Sequence, residues 1–310
     1  LACATLAFRG IVESMDHTTL IRRPRLRGPV LLAAFDGWND AGEAATTALD
    51  AIGAGLAAET FATVDPEAFF DFQNTRPTVR LVDGHRQIEW PSVELGAARL
   101  PSGDHDLIIV RGHEPNFRWR TFANEIVELA ADFRVEMVIT VGALLADVPH
   151  TRPVHVVSSA GDRNLAKRLG LHVSRYEGPT GILGVLGDIA TRAGLPTVGL
   201  WAALPHYLNL APNPWGAIAL VEELGRLLPM AVDTSELAGQ TPAFDAAVAE
   251  LIEENPELTG YIERLEADAD EEGEDDEDED GSPGLADLPP EELVAEVERY
   301  LRDHPGGSRN

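Results

Sequence analysis

Lysine is almost missing from this chain of 310 residues: Lys167 stands alone against 23 arginines. Schiff-base enzymes require a lysine amine, and kinases and ATP-dependent ligases commonly place one on phosphate. Lys167 falls in Arg163-Asn164-Leu165-Ala166-Lys167-Arg168, read as an exposed helix face, so any ATP chemistry would have to rest on arginine. Cysteine is equally scarce. With Cys3 alone, an intrachain disulfide and a cysteine-ligated zinc site are both excluded, and a reducing compartment fits. Aromatic residues make up 6% of a chain that is 44% apolar, so the core must be built from Ala, Leu, Val and Ile. No apolar run approaches the roughly 20 residues that span a bilayer. Stretches such as 29–35 and 136–146 are short and end in turns, so membrane insertion is not expected.

The familiar catalytic signatures are missing as well. There is no Gly-x-Ser-x-Gly elbow, no His-Glu-x-x-His, no Gly-x-Gly-x-x-Gly fingerprint and no Gly-Lys-Ser/Thr of a P-loop. Residues 1–10 lack the charged leader and long apolar core of a secretory signal, Met15 is a candidate natural start, and the expected location is cytoplasmic.

What the chain has in excess is negative charge, a formal −28. Twelve of the fifteen residues in 266–280 are acidic, a block that repels itself and is expected to stay solvated and disordered. Outside it the chain still carries −16 and no basic stripe for a phosphate backbone, which argues against nucleic acid as a partner.

Short apolar runs alternate with helical patterns. Strands are expected at 29–35, 106–110, 137–145, 154–157 and 197–203, with helices at 41–56, 120–133, 163–169, 181–193 and 215–228. This rhythm predicts an α/β fold with a mostly parallel open sheet between helical layers. Residues 78–83 and 86–93 flank Gly84-His85 as a hairpin or an edge extension of the sheet. The expected organisation is an N-terminal segment (1–28), an α/β core (29–230), a helical extension packed on the core (231–265), an acidic disordered linker (266–288), and a C-terminal helix and tail (289–310). In that last helix Leu293, Val294, Val297, Tyr300 and Leu301 form one apolar stripe.

Candidate site residues lie where strands end. Asp36-Gly37-Trp38-Asn39-Asp40 follows the first core strand, where open α/β sheets place ligands. Asn39 or Asp40 would serve equally as a helix cap with Trp38 packed over the turn. His113 and Glu114, and His150 and Arg152, sit in loops after two further strands and would converge if both loops reach one edge. In the segment 176–187 glycines 178, 181, 184 and 187 recur every third residue. They would give a close-packed helix face, or leave backbone N–H groups near Glu177 and Thr180 open to an anion. His206 and Tyr207 stand in a proline-punctuated loop suited to a lid or contact surface. No catalytic residue, metal site or cofactor is expected.

Taken together, Gly37-Trp38-Asn39-Asp40-Ala41-Gly42, Gly112-His113-Glu114-Pro115, Thr151-Arg152-Pro153, Tyr176-Glu177-Gly178-Pro179-Thr180-Gly181, Trp201 with Pro205-His206-Tyr207, and Pro212-Asn213-Pro214 resemble the proteasome assembly chaperone 2 family over about residues 29 to 265, and most of all its actinobacterial members with acidic tails. The resemblance implies a three-layer fold like that of purine nucleoside phosphorylases. It also implies a homo-oligomer, with a trimer the expected count, and a non-enzymatic assembly or scaffold role with proteasome subunits or another protein as partner. The alternative is a small-ligand enzyme of phosphorylase or ATP-dependent carboligase type, using Asp36, Asp40, His113, Arg152 and Thr180. Chaperones of this type often end in a hydrophobic-Tyr-any tripeptide. This sequence ends Gly307-Ser308-Arg309-Asn310, so docking on the proteasome by that route is not expected.

Overall fold

The computed structural model describes residues 13–14, 16–101, 104–208, 210–228 and 230–275. Its strands are β1 (Glu13–Ser14), β2 (Thr18–Leu20), β3 (Val30–Asp36), β4 (Glu59–Val64), β5 (Thr78–Val82), β6 (His85–Glu89), β7 (Val93–Ala98), β8 (Leu107–His113), β9 (Met137–Ala146), β10 (Val156–Ala160), β11 (His172–Val173) and β12 (Thr197–Pro205). Its helices are α1 (Ala44–Gly55), α2 (Pro66–Phe69), α3 (Trp119–Asp132), α4 (Arg163–Leu169), α5 (Ile182–Arg192), α6 (Pro214–Leu227), α7 (Ser235–Glu254) and α8 (Glu257–Asp275), with a 3-10 turn at Ala41–Glu43 before α1.

Successive side chains of a strand leave on opposite faces, so a strand buried at nearly every position has to be covered on both sides. In β3, Val30, Leu32 and Ala34 enter one apolar cluster while Leu31, Ala33 and Phe35 enter another. β8 divides in the same way, Leu107 and Ile109 against Ile108 and Val110. The first cluster is closed by α1 (Ala44, Ala45, Ala48, Leu49, Ile52) and α6 (Ala217, Leu220, Val221, Leu224). The second is closed by α3 (Phe122, Ala123, Ile126, Val127) and α5 (Ile182, Leu183, Leu186, Ala190). Each helix offers apolar residues at the three-and-four spacing that makes one continuous face.

The main sheet has ten strands among the described residues, in the order β1-β2-β4-β7-β8-β3-β9-β12-β10-β11. The expectation of a mostly parallel sheet is corrected here. Parallel pairing joins β8, β3, β9 and β12 at the centre and β10 with β11 at one edge. The other neighbouring pairs are antiparallel, so the sheet is mixed. The central strands are the uniformly apolar runs that a reader of sequence finds. Strands β2, β4 and β7 mix buried positions with partly or fully exposed ones and are not linked by crossover helices, so the βαβ rhythm passes over them. Residues 78–89 form a separate two-stranded hairpin, β5–β6, rather than an edge of the main sheet, and Val93 already opens β7 of that sheet.

Two further expectations change. Helix α5 starts at Ile182 with Gly181 as its N-cap, so Gly178 and Gly181 precede it and the four glycines do not line one helix face. The acidic run was expected to be a disordered linker from residue 266, but α8 continues through its first ten residues to Asp275. The remainder of that run, residues 1–12 and the expected last helix at 289–310 lie outside the described residues.

Gly112 sets the end of β8. Its φ is +150°, and a Cβ there would come within 2.1 Å of the Ser92 carbonyl oxygen at the start of β7. Gly112→Ala would force these two backbones apart and strain φ as well, and we expect a loss of about 3 kcal/mol in chemical denaturation. Unchanged stability would mean that β7 and β8 do not meet this closely.

Candidate functional site

Because β8, β3, β9 and β12 are parallel, their carboxyl ends share one edge of the sheet, where ligands of open α/β folds usually sit. Nine of the twelve sequence-predicted residues lie in or beside two groups there, and these groups are distinct.

The first group stands at the ends of β3 and β8. His113 Nδ1 lies 2.5 Å from Asp36 Oδ2. That hydrogen bond and charge raise the imidazole pKa, against partial burial. Glu114 reaches across the edge: its Oε1 accepts from Asn39 Nδ2 at 2.7 Å and from the backbone N–H of Ile182 at 2.8 Å. Gly181 has no side chain with which to cap α5, so Glu114 caps it from another element. Here a carboxylate already lies against the positive end of the helix. Gly181 is required for the approach, since a Cβ there would meet the Asn39 amide at 2.3 Å. Burial raises the Glu114 pKa, while its bonds to Ile182 and Asn39 pull the other way. The Asn39 Oδ1 is buried and has no hydrogen-bond partner.

Asp40 is buried beside this group and points into α1. Its carboxylate accepts from Ala45 N at 2.6 Å, from Thr46 N at 3.3 Å and from the Thr46 hydroxyl. It is therefore a helix anchor. Burial pushes its pKa up from 3.8 to about 6 despite those bonds. A carboxyl with a raised folded-state pKa stabilises the native state most at low pH and loses that contribution as pH rises. The stability of the wild type should therefore carry a downward component between pH 3.8 and about 6 that Asp40→Asn removes. Denaturation of both proteins across that window checks this, and parallel curves would contradict it.

The second group stands beyond β9 and β12. The Tyr207 hydroxyl lies 2.7 Å from the His150 backbone N and 2.8 Å from its Nδ1. His206 Nδ1 is 3.0 Å from Asp147 Oδ1, off the line of a hydrogen bond, and the same Asp147 oxygen accepts from the Tyr261 hydroxyl at 2.8 Å. Arg152 grips Asp270 with two bonds, of 3.0 and 2.8 Å, and stands 3.6 Å from Glu266, which also accepts from Thr151. These contacts hold α8 on the edge and explain why the helix runs into the acidic block: Arg152 offsets its self-repulsion. Arg152→Ala should speed amide exchange in α8 a few-fold while leaving β3 and β9 unchanged. Equal exchange in α8 would show that the arginine does not hold it.

His113 with Glu114 and His150 with Arg152 therefore do not converge, because each pair is engaged in its own network. Trp38, Glu177 and Thr180 are exposed, and neither Trp38 nor Glu177 donates or accepts a side-chain hydrogen bond among the described residues. Sequence reasoning passed over Tyr261, Glu266 and Asp270. The first falls within the expected helical extension and the others within the acidic run. It also passed over Ile182, whose contribution is a backbone N–H that no residue type announces.

Among the described residues no hydroxyl or thiol is hydrogen-bonded to His113, no cluster of three or more His, Cys, Asp or Glu is placed to hold a metal, and no helix is long and apolar enough to cross a membrane. The fold and edge define a mixed-sheet α/β protein with C-terminal helices, whose strand-end polar groups bind one another. The chain belongs to the PAC2 family, whose model matches residues 34–252. It is similar to a PAC2 family protein from Streptomyces avermitilis, at 44% identity and a TM-score of 0.71 over 76% of this chain and 99% of that one. It is also similar to a proteasome-assembly chaperone homologue from Mycobacterium tuberculosis, at 42% identity and 0.68 over 75% and 99%. A second M. tuberculosis protein, described as of unknown function, aligns at 26% identity and 0.74 over 84% and 94%. Among proteins of curated function, none matches.

Proposed function

We propose that this chain is a non-enzymatic assembly or scaffold protein that self-associates and binds protein partners related to the proteasome. The observation that carries the reading is Glu114. An enzyme of phosphorylase or carboligase type on this edge would use the α5 N-terminus for phosphate, and that N–H is already held by a carboxylate of the chain itself. Asp40 is engaged with α1 and Arg152 with α8, so two groups of the enzyme alternative have structural duties. The similar M. tuberculosis protein named as a proteasome-assembly chaperone homologue supports the choice of partner. Cytoplasmic location and a trimeric count go with this reading.

Two measurements test it. Mixed with proteasome α-subunits from its own source, the purified protein should elute as a complex on size exclusion. In a thermal-shift panel of nucleotides, nucleosides and phosphate it should show no stabilisation. Saturating ligand at a real site would add about 3 kcal/mol at a hundredfold excess over Kd. A clear shift with any of these ligands, together with no complex, would replace this reading with the enzyme alternative.

A further inference from the structure

The hairpin β5–β6 is the most exposed part of the described chain, and its sequence does not suit water. Pairing sets Val79 opposite Ile88 and Leu81 opposite Arg86, so Val79, Leu81, Ile88 and Arg86 share one face, with Trp90 following in phase. Leu81 is 74% exposed, Ile88 57%, Val79 49% and Trp90 47%. The other face carries Thr78, Arg80, His85, Gln87 and Glu89 with a single apolar residue, Val82, and Arg80 and Glu89 are ion-paired. Asp83 and Gly84, both with positive φ, close the two-residue turn that fixes this register. A lone two-stranded hairpin is marginal in water. One built with an aliphatic face therefore needs a standing cover rather than an occasional visitor.

Charge narrows what the cover is. Segment 76–90 holds three arginines against two acids, the reverse of a chain that carries −28. Two such faces meeting about a two-fold axis would set Arg86 near its own copy, so the face calls for a different surface, apolar and acidic. The same molecule has one. Between α6 and the pair α7–α8 lies an open groove of 610 Å³ with Trp215, Val248, Ala249 and Ile252 in its lining and Asp245 and Glu253 beside them. Asp245 also accepts from Trp215 Nε1 at 3.0 Å, which fixes the indole as part of the wall.

We infer that the apolar face of β5–β6 in one copy docks in the α6–α7–α8 groove of a second copy, with Arg86 and its neighbours facing Asp245 and Glu253. This rests on the self-association proposed above and names its surfaces. The contact is head-to-tail, so it propagates from copy to copy, and it ends in a ring where the rotation between copies divides a full turn.

Both surfaces can be damaged at exposed positions without touching the core: Leu81→Glu with Ile88→Glu on the hairpin, and Ala249→Arg in the groove. By sedimentation velocity, with circular dichroism confirming the fold, wild type should be oligomeric and each variant monomeric. An equimolar mixture of the two variants should form a two-chain species, because one intact hairpin meets one intact groove. If either variant keeps the wild-type mass, this contact is wrong while self-association stands. If both are monomers and the mixture stays so, the groove is not the receptor and the assignment falls. A monomeric wild type would defeat self-association itself, and this contact with it.

Discussion

The carboxylate of Glu114 on the first N–H of α5 is the interaction around which the strand-end edge is organised. It joins the residue that follows β8 to the turn after β3 through Asn39 and to α5 through Ile182. Three elements distant in sequence meet at one oxygen atom, and Gly181 is a glycine there because a Cβ would strike the Asn39 amide that shares it. A charge that is partly withdrawn from water needs such partners, since desolvation alone would neutralise it.

From that arrangement follows the character of the whole edge. Asp36 holds His113, Asp40 holds α1, and Arg152 holds α8, so the polar residues that in an enzyme would face a substrate instead fasten parts of the chain to one another. Among the described residues, the hairpin carries a cluster of exposed apolar side chains and an open groove lies beside α7. Such an inventory supports the proposed role in contact with other chains.

Much of the centre of the fold was legible. Runs such as Val30–Asp36 and Met137–Ala146 are apolar at successive positions, and only a sheet covered on both faces buries such a run. The flanking strands were not legible as such. Glu59–Val64 and Val93–Ala98 are half-buried, and their antiparallel pairing comes from contacts remote in sequence. Of the site, the residue types at strand ends were found, but not their pairings. Nothing in the letters distinguishes an Asp40 that anchors α1 from one that faces a ligand, or shows that Arg152 would meet Glu266 and Asp270 of the acidic run.

The central claim is that Glu114, and not an external anion, occupies the α5 N-terminus. The most direct measurement is NMR of the Ile182 amide alongside the Glu114 carboxyl carbon, first through a pH titration and then through addition of inorganic phosphate. The account predicts that the amide shift follows the titration of Glu114, above the ordinary 4.5, and stays still when phosphate is added. An Ile182 amide that moves with phosphate while Glu114 takes on the shift of a solvated carboxylate would contradict it.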